Sequence, residues 1–550
     1  MLSRIGVLLC TCAHKLESVD FDKVLSYLTG CYGVQTVQVH RELCKQPSLI
    51  RNLVRSEKLE GLVVGACSFH ETLFRDESED GGLNPLLLEV LNLKEQLAGP
   101  HVDREKATLK AALIVRAAVE KMKRMEAVKH VPPQRISANK QVTRRALFRS
   151  VLRFLMVYKP TPLVEGSLCI NPKACKLCIN ACSYGALTLG EGGIVVEREK
   201  CKVCGSCAAS CPFGAIQIPT HNDEQLEVQM RWMLSDMGAK LDRRVIVFAC
   251  EESGYPAINA ASEVGAKVPL EALIIRVPSL GVLSELTLLT AFALGADGVL
   301  LAGCPDNDCP HLNGLLSAKQ KLSTVKSLLS SFNIDTSRIG IFQARKDESS
   351  KLADNLTKFV EDVKHMSPNT LRLTFSGNNR RAKLISLIKA LAEETGKVPG
   401  ILEWAGQCPF ADVLIDQERC TACELCGSLC PTKAIEVHKD EKSVALSFKY
   451  RDCIGCGLCE STCPEKAVSL KRVFDVGRLL ESLPKTLAVQ GLVACSNCKK
   501  PFTTINKLKK IREIQRQIGV TPEPSTLVLC PACKRNHVLP VMYPTKEVRR

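Results

Sequence analysis

Two runs of cysteines between residues 420 and 464 combine residue types and a spacing that could bind iron. Each run reads C-x-x-C-x-x-C-x-x-x-C-P, the pattern that wraps a cubane 4Fe–4S cluster. In such a pair the fourth cysteine of each run ligates the cluster of the other run. The predicted ligand sets are Cys420, Cys423, Cys426 and Cys463 for one cluster, and Cys453, Cys456, Cys459 and Cys430 for the other. The alternative, a disulfide or zinc framework, fits two adjacent runs in perfect register less well.

A second pair of cysteine runs lies within residues 166–220, and one of its runs is altered. The later run keeps the standard spacing and ends at Cys211. In the earlier run five residues separate Cys169 from Cys175, and Ser183 stands where a proline is usual. With fourth ligands exchanged as before, the predicted sets are Cys169, Cys175, Cys178 and Cys211, and Cys201, Cys204, Cys207 and Cys182. The alternative is one intact cluster and one vestigial one.

Both pairs are typical of bacterial-type ferredoxin modules with two 4Fe–4S clusters, at residues 166–220 and 416–475. Residues 476–550 carry two further C-x-x-C pairs with 31 residues between them. Such pairs suit a tetrahedral four-sulfur site, most often structural zinc. Iron accepts the same geometry and is the alternative. The predicted metal ligands of this zinc-ribbon-like module are Cys495, Cys498, Cys530 and Cys533.

The segment of residues 1–130 must position another group of cysteines. Its apolar runs near residues 5–10, 36–39 and 61–66 alternate with helical patterns, which predicts a small open-sheet α/β domain. Ligand sites in such sheets lie beyond the carboxyl ends of the strands. The cysteines that fall there are Cys10, Cys12, Cys44 and Cys67. They are candidates for a further 4Fe–4S cluster, and the alternative is that they pack as small core residues.

Residues 240–367 show the same alternation and predict a second open-sheet α/β domain. Strands are predicted near residues 244–249, 272–277, 298–302 and 339–343, and helices near residues 283–294, 315–331 and 347–363. Residues 131–165 are a basic linker, and residues 368–415 are a bridge that contains an amphipathic helix. The predicted fold is therefore multidomain, α/β and α+β, with two small α/β open-sheet domains, two ferredoxin modules and a C-terminal four-cysteine module.

Four segments of residues 5–127 resemble the N-terminal domain of the A subunit of heterodisulfide reductase. They read LLCTCAHKLESVDFDKV, ELCKQPSLI, LVVGACSFHETLFR and LNLKEQLAGPHVDREKATLKA. Characteristic positions of that family correspond to Cys10, Cys12, Cys44 and Cys67, with His70 and Glu71 beside them. The family continues into a dinucleotide-binding domain that holds FAD, whereas no G-x-G-x-x-G follows a strand in this chain. The resemblance thus implies a redox domain without the FAD motif.

The run AFALGADGVLLAGCPDNDCPH, with the helix after it, resembles the delta subunit of methyl-viologen-reducing hydrogenase. That family links a hydrogenase or formate dehydrogenase to heterodisulfide reductase through a two-iron cluster. In this chain Ser253 and Ser279 stand at two cysteine positions of the family. The remaining thiols are Cys250, Cys304 and Cys309. Because a two-iron cluster takes four protein ligands and a hydroxyl is far less acidic than a thiol, we expect no stable 2Fe–2S cluster in this delta-like domain, which would dock a partner. The alternative is that His311 or an aspartate substitutes.

The composition excludes several classes of protein. With 29 cysteines in 550 residues and no visible signal peptide, metal ligation in a reducing, anaerobic cytoplasm is expected rather than disulfides. The most apolar stretch, about residues 270–303, contains charged residues and predicts buried core, not a membrane span. Sixteen thiolates and four oxidised cubane cores lower the formal charge of +16 to about +8. Basic residues are scattered among few aromatics, so we expect an acidic partner protein rather than nucleic acid.

Together these patterns predict an electron-transfer subunit. Clusters ligated only by cysteine have no open iron site, and no nucleophile, acid–base pair or phosphate loop is evident. The predicted partners are subunits of a heterodisulfide-reductase-like, hydrogenase-linked or formate-dehydrogenase-linked complex, one of which holds the flavin or catalytic metal. Two alternatives stay open: a flavin-dependent catalytic A-type subunit, and a regulator that binds nucleic acid and senses through its clusters or zinc.

Overall fold

A computed structural model describes most of the chain, namely residues 1–13, 15–67, 70–97, 102–132, 134–137, 156–237, 241–519 and 527–542. Two compact units are present. The first comprises residues 1–172 and 176–397, and the second comprises residues 173–175 and 398–550. Part of the predicted basic linker, residues 138–155, lies outside the described residues. None of the helices described is long and apolar enough to cross a membrane.

The N-terminal domain contains a four-stranded parallel sheet in the order β2-β1-β3-β4. Its strands are β1 (Ile5–Cys10), β2 (Val34–His40), β3 (Gly61–Ala66) and β4 (Leu88–Asn92). Its helices are α1 (Phe21–Leu28), α2 (Ser48–Ser56), α3 (Glu71–Asp80), α4 (Leu93–Leu97) and α5 (Arg104–Lys123). Every residue of β1 and β3 is buried, which explains why these strands read as continuous apolar runs.

Strand β4 is an element that the sequence analysis does not predict. Its apolar run is interrupted by Glu89, which weakens a strand pattern read from one sequence. In the fold, a carboxylate oxygen of Glu89 lies 3.0 Å from the buried ammonium of Lys121 on α5. The charge is therefore compensated by a residue 32 positions away, which local periodicity does not reveal.

The linker and the first ferredoxin module follow as short elements, all of them in the first unit except residues 173–175. Strands β5 (Gln134–Ser137) and β6 (Met156–Lys159) pair antiparallel. The module consists of β7 (Leu163–Val164), α6 (Pro172–Cys175), α7 (Leu177–Asn180), β8 (Leu187–Gly190), β9 (Gly193–Val196), α8 (Ser206–Ser210) and β10 (Ile216–Gln217). Strands β7 and β10 pair antiparallel, as do β8 and β9, which leaves the cysteine runs in the turns and short helices between them.

Helix α9 (Asp223–Met233) joins this module to the N-terminal domain. Asn222 caps it, and the side chain of Gln225 completes a capping box. The helix packs along α5, where the Arg116 guanidinium lies 4.2 Å from the ring centroid of Trp232. The packing of α9 explains why α5 is buried on nearly all sides. The sheet covers one face of α5, and α9 covers another.

The delta-like domain repeats the topology of the N-terminal domain, with four parallel strands in the order β12-β11-β13-β14. Its strands are β11 (Val245–Cys250), β12 (Ala272–Val277), β13 (Gly298–Gly303) and β14 (Ile339–Gln343). Its helices are α10 (Gly254–Ala260), α11 (Glu285–Ala293), α12 (Leu312–Ser331) and α13 (Ser349–His365). The amphipathic helix of the bridge is α14 (Arg380–Thr395). All four predicted strands are present within one residue of their expected bounds.

The second unit combines the second ferredoxin module with the C-terminal module. Its elements are β15 (Ile401–Leu402), β16 (Ala411–Ile415), α15 (Leu425–Ser428), β17 (Ile435–Lys439), β18 (Ser443–Phe448), α16 (Leu458–Ser461), β19 (Val468–Arg472), β20 (Phe474–Asp475), α17 (Val476–Leu480), β21 (Lys485–Ala494), β22 (Pro501–Thr504), α18 (Ile505–Gln517) and α19 (Pro531–Met542). Strands β17, β18, β21 and β22 form one antiparallel sheet that runs from the ferredoxin module into the C-terminal module.

Candidate functional site

The cysteine loops of the ferredoxin modules share an unusual backbone. In the three runs of standard spacing, the residues on both sides of the second cysteine have positive φ angles. The values are 57° and 76° for Val203 and Gly205, 48° and 67° for Ala422 and Glu424, and 63° and 76° for Gly455 and Gly457. Left-handed backbone is rare for a β-branched residue such as Val203 and costs on the order of 1–3 kcal/mol. Such strain persists where a loop must curl around a ligand.

The earlier run of the first module, whose spacing is altered, has a left-handed residue on only one side of its second cysteine. Lys176, directly after Cys175, has φ 49°, whereas Ala174 before it lies in α6. The longer spacing therefore replaces one left-handed residue by a turn of helix.

The fourth cysteines of all four runs enter the same turn. The third residue after each has a left-handed backbone, namely Gly185, Gly214, Lys433 and Lys466, with φ of 60°, 68°, 54° and 49°. In three of the turns, the backbone N–H of the next residue donates to the cysteine sulfur at 3.3 Å, from Ala186 to Cys182, from Ala215 to Cys211 and from Ala467 to Cys463. The altered run, with Ser183 in place of proline, keeps both features. Its fourth cysteine is therefore presented as a ligand would be.

In the second module, the structure brings together the cysteines that were predicted to share a cluster. One small cavity is lined by Cys420, Cys423, Cys426 and Cys463. In the second predicted ligand set, burial raises the pKa of Cys459 to about 12. The nearby thiols of Cys453, Cys456 and Cys430 raise this pKa as well. The fourth cysteine of each run thus faces the other run.

In the first module, too, the fourth cysteine of each run lies near cysteines of the other run. Burial raises the pKa of Cys207, and the nearby thiols of Cys204, Cys201 and Cys182 raise it further. Burial also raises the pKa of Cys169, and Cys211 adds to the effect. Because neighbouring negative charges disfavour a bare thiolate, these groups are suited to ionise when a cation neutralises them.

The N-terminal cysteines meet beyond the carboxyl ends of β1 and β3, where the strand order reverses. The sulfur of Cys10 accepts the backbone N–H groups of Cys12 and Leu43, each at 3.4 Å. The Cys12 thiol hydrogen-bonds to Cys10 and Cys67. Hydrogen bonds from the Cys12 thiol and from both N–H groups lower the pKa of Cys10 to about 6, against the effect of burial. Burial and then the charges of Cys67 and Cys10 raise the pKa of Cys44, so all four predicted thiols are neighbours.

Glu71, beside these thiols, connects the N-terminal and delta-like domains. Its carboxylate lies 2.7 Å from the guanidinium of Arg75 and 2.6 Å from that of Arg276, which lies 3.1 Å from Glu251. Burial alone would raise the pKa of Glu71, but the two arginines hold it at about 2. Glu251 follows Cys250, so one chain of ion pairs links the two cysteine-rich sheet edges. His70 lies at the N-cap of α3 without a side-chain capping bond, and its ring centroid is 6.4 Å from that of Phe74.

The delta-like domain carries its three thiols at the equivalent sheet edge. The sulfur atoms of Cys250 and Cys304 lie 3.8 Å apart, and the Cys304 thiol also hydrogen-bonds to the sulfur of Cys309. The two serines that replace cysteines are engaged elsewhere. Ser253 donates its hydroxyl to the carbonyl of Ala344, and the Ser279 oxygen accepts the N–H of Gly281 at 3.2 Å. Each serine oxygen therefore has a backbone partner, and the hydroxyl proton of Ser253 is committed to a carbonyl.

The C-terminal cysteines form the most compact group of potential ligands in the described part of the chain. The sulfur atoms of Cys495, Cys498, Cys530 and Cys533 all lie within 4.8 Å of one another. The distance between those of Cys498 and Cys530 is 3.7 Å. Tetrahedral Zn–S bonds of about 2.3 Å place neighbouring sulfurs about 3.8 Å apart. Backbone N–H groups donate to two of these sulfurs, from Cys530 to Cys495 at 3.3 Å and from Cys533 to Cys530 at 3.5 Å. The group fits one tetrahedral metal ion.

Helix α18 of the C-terminal module holds the first cysteine loop of the second ferredoxin module. The Asn506 amide donates to the carbonyl oxygens of Gln417, Glu418 and Cys420 at 2.9, 3.2 and 3.1 Å. The hydroxyl of Thr504, which caps α18, donates to the Thr421 carbonyl at 2.7 Å. The loop that presents Cys420 is therefore shaped partly by the neighbouring module.

We expect the C-terminal site to contain one zinc per chain, and Cys530→Ala to abolish it because a three-thiolate site loses a tetrahedral ligand. Metal analysis of the purified full-length chain checks this. Cys31→Ala is the matched control, since Cys31 belongs to none of the predicted sets and should leave zinc unchanged. Zinc that persists in the Cys530 variant, or iron in its place, would contradict the prediction.

Sequence reasoning misses three residues that the structure places beside the cysteines. Lys94 lies near Cys67 and Cys12. Tyr184 donates its hydroxyl to the Pro310 carbonyl at 3.0 Å and joins the first ferredoxin module to the delta-like domain. Asn506 is the third. Each makes a contact remote in sequence and belongs to no motif, so no local signal could identify it.

Comparison with known proteins agrees with this architecture. Residues 245–367 match the family described as methyl-viologen-reducing hydrogenase, delta subunit. Residues 419–467 match a 4Fe-4S dicluster domain, and residues 194–217 match a 4Fe-4S binding domain. The matches fall on the delta-like domain and on both ferredoxin modules.

Curated relatives fall into two groups. The iron-sulfur A subunit of the CoB--CoM heterodisulfide reductase of Methanocaldococcus jannaschii is 36% identical over 270 residues, which is 40% of this chain and 40% of the relative. The A subunit of the H(2)/formate:CoB-CoM heterodisulfide,ferredoxin reductase of Methanococcus maripaludis is 26% identical over 267 residues, again 40% of each chain. This chain thus spans less than half the length of these A-type relatives.

In the second group, this chain covers almost the full length of the relative. The iron-sulfur D subunit of the vhu hydrogenase of Methanopyrus kandleri is 31% identical over 124 residues, which is 22% of this chain and 94% of the relative. Through its delta-like domain, the chain therefore belongs to the family of methyl-viologen-reducing hydrogenase delta subunits, joined in one polypeptide to ferredoxin modules and to regions similar to the A subunit of heterodisulfide reductase.

Proposed function

We propose that this chain is the iron–sulfur electron-transfer subunit of a heterodisulfide-reductase-like complex linked to a hydrogenase or formate dehydrogenase. It passes single electrons between a low-potential donor and a partner subunit that holds the flavin or the catalytic metal. Its cofactors are four 4Fe–4S clusters in the ferredoxin modules, a further one in the N-terminal domain, and one zinc. The delta-like domain holds no 2Fe–2S cluster.

The observation that carries this proposal is the shared core of the two predicted cluster sites in a ferredoxin module. In the first module, Leu187, Cys207 and Ile216 form a buried core against which Cys178, Cys182 and Cys211 pack. Ligands of both predicted clusters therefore belong to one small core, so an electron that enters at either cluster has the other close by. Cubanes ligated by four cysteines exchange electrons without binding substrate, which suits a conductor rather than a catalyst.

The combination of regions supports the choice of partners. The chain has relatives named as hydrogenase iron-sulfur subunits and relatives named as heterodisulfide reductase subunits, and the hydrogenase delta subunit family matches residues 245–367. In this chain one polypeptide contains both kinds of region, and Glu71, Arg276 and Glu251 fix the N-terminal and delta-like domains against each other. The fusion would keep the donor side and the acceptor side in a fixed geometry. A flavin would belong to a partner, because no dinucleotide-binding motif follows a strand in this sequence.

Anaerobic electron counting on the full-length chain tests the proposal. Reduced methyl viologen should load about one electron per cubane, and oxidised benzyl viologen should recover those electrons. The chain alone should not oxidise hydrogen or formate, whereas the native complex, purified through a tag on this chain, should do so and pass the electrons on. A flavin spectrum that remains with the isolated chain after its clusters are removed would instead make it a catalytic A-type subunit.

A further inference from the structure

The thiols of the delta-like domain form a group that the clusters do not use. Cys250 is the last residue of β11, and Cys304 directly follows β13, the neighbouring parallel strand. Both are buried, and Cys309 is partly exposed. The 3.8 Å between the sulfur atoms of Cys250 and Cys304 is about 1.8 Å longer than a disulfide bond, so a small side-chain movement joins them. The Gly254 N–H donates to the Cys250 sulfur at 3.4 Å, which favours the thiolate needed for disulfide chemistry.

This group lacks a fourth thiol for a two-iron cluster. Ser253 and Ser279 direct their oxygens into hydrogen bonds with the backbone. The remaining candidate is His311, which is buried. Its Nε2 lies 3.7 Å from a carboxylate oxygen of Glu252, and its Nδ1 has no hydrogen-bond partner in the described structure. Three thiols and one histidine could hold a metal, so metal analysis belongs in any test of this site.

The group lies beside a predicted cluster of the first ferredoxin module. Tyr184, two residues after Cys182, donates its hydroxyl at 3.0 Å to the carbonyl of Pro310, the residue after Cys309. The segment that carries a predicted cluster ligand and the segment that carries a thiol of the group therefore meet here. The backbones are also in close contact. A Cβ on Gly281 would lie 2.6 Å from the carbonyl oxygen of Cys204 and 2.7 Å from the Cα of Gly314, so this contact requires glycine.

We propose that Cys250 and Cys304 form a dithiol–disulfide couple that exchanges two electrons with the first ferredoxin module. In reduction, the S–S bond breaks, two electrons arrive from the two clusters of the module, and two protons from solvent convert the sulfurs to thiols. In oxidation, the bond forms, the same two electrons return to the clusters, and two protons leave. The couple would store a pair of electrons beside carriers that each take one. This inference rests on the proposed function, because the electrons come from the clusters of the first ferredoxin module.

Thiol mapping of the anaerobic full-length chain tests the couple. Samples are held oxidised with thionine or reduced with titanium(III) citrate, trapped with iodoacetamide, digested without reductant and analysed by mass spectrometry. We expect a Cys250–Cys304 disulfide only in the oxidised sample, and a coulometric titration that contains about two electrons beyond those of the clusters. Cys304→Ser should remove the disulfide and those two electrons while iron stays unchanged. Cys309→Ser, the matched control, should keep both.

Other outcomes overturn the proposal in ways that can be separated. Free Cys250 and Cys304 in the oxidised sample, or a disulfide through Cys309 instead, would refute the couple and leave the proposed function intact. A loss of about two irons, or of zinc, in Cys304→Ser would make the group a metal site. Absence of reduced-cluster paramagnetic signals in the wild-type chain would overturn both the couple and the proposed function. Cys204→Ser, which disrupts the neighbouring cluster, should slow reduction of the disulfide by reduced viologen, and an unchanged rate would also refute the couple.

Discussion

Cys463→Ala should remove about four irons from the full-length chain, and the loss should belong to the cluster of the earlier run, Cys420, Cys423 and Cys426. The reason is geometric. Cys463 lines one cavity with these three cysteines, although 32 residues separate it from the last of the earlier run's own four. Removing a thiolate ligand leaves a cubane with one unligated iron, which is readily lost.

Double variants show which cluster Cys463 ligates, without the need to resolve the spectrum of each cluster. Cys463→Ala combined with Cys420→Ala should lose no more iron than either change alone, because both ligands serve one cluster. Cys463→Ala combined with Cys453→Ala should lose about eight irons, since the two changes then act on separate clusters. If each run bound its own cluster, the two combinations would give the opposite results, and iron analysis would show it.

Cys67→Ala should lower the iron of the anaerobically prepared chain from about twenty to about sixteen and remove one reduced-state paramagnetic signal. The four N-terminal thiols are neighbours, and hydrogen bonds from the Cys12 thiol lower the pKa of Cys10 to about 6 and that of Cys67 to about 7, while they raise the pKa of Cys12 itself. Two of the four thiols are therefore poised to ionise near neutral pH, and a bound cation would favour ionisation of the others. Lys94 beside Cys67 adds a positive charge that favours the same ionised state.

The control for this prediction is Cys31→Ala, a buried cysteine of the same domain whose neighbour is Arg116 rather than other thiols. It should keep all iron and the full signal. If Cys67→Ala instead folds normally with unchanged iron, the N-terminal thiols are core residues, and total iron near sixteen in the wild-type chain would agree with that.

The sequence predicts the elements of both sheets well where burial is uniform. Strands β1, β3 and β12 coincide with their predicted bounds, because an apolar run between turn residues is itself the consequence of burial on both faces. Strand β14 also coincides, although only its first residue is buried. Strand β4 is missed because Glu89 is neutralised from another element. The proposed domain boundaries stay predictions, although β21 pairs with β18 across the boundary at residue 476.

The cluster sites are predictable for a local reason. In C-x-x-C-x-x-C the ligands are separated by a turn or less, so spacing alone carries the geometry, and the left-handed residues around each second cysteine are part of the same turn. The surroundings are not local. Asn506 reaches a loop about 90 residues earlier, and Arg276 meets a carboxylate 205 residues away, so both depend on how modules dock. The way in which two modules dock leaves no recurring residue pattern in a single sequence.

The hold of Asn506 and Thr504 on the Cys420 loop has a consequence for biogenesis. A chain still emerging from the ribosome exposes this cysteine run before residues 504 and 506 exist, so the carbonyls of Glu418, Cys420 and Thr421 then lack these donors. With the proposed zinc site, the loop gains its final shape only after α18 is made and the C-terminal thiols have bound their metal. Iron delivery to Cys420 should therefore follow translation of the C-terminal module, and a cell starved of zinc should accumulate chains that lack this cluster but keep those of the first unit.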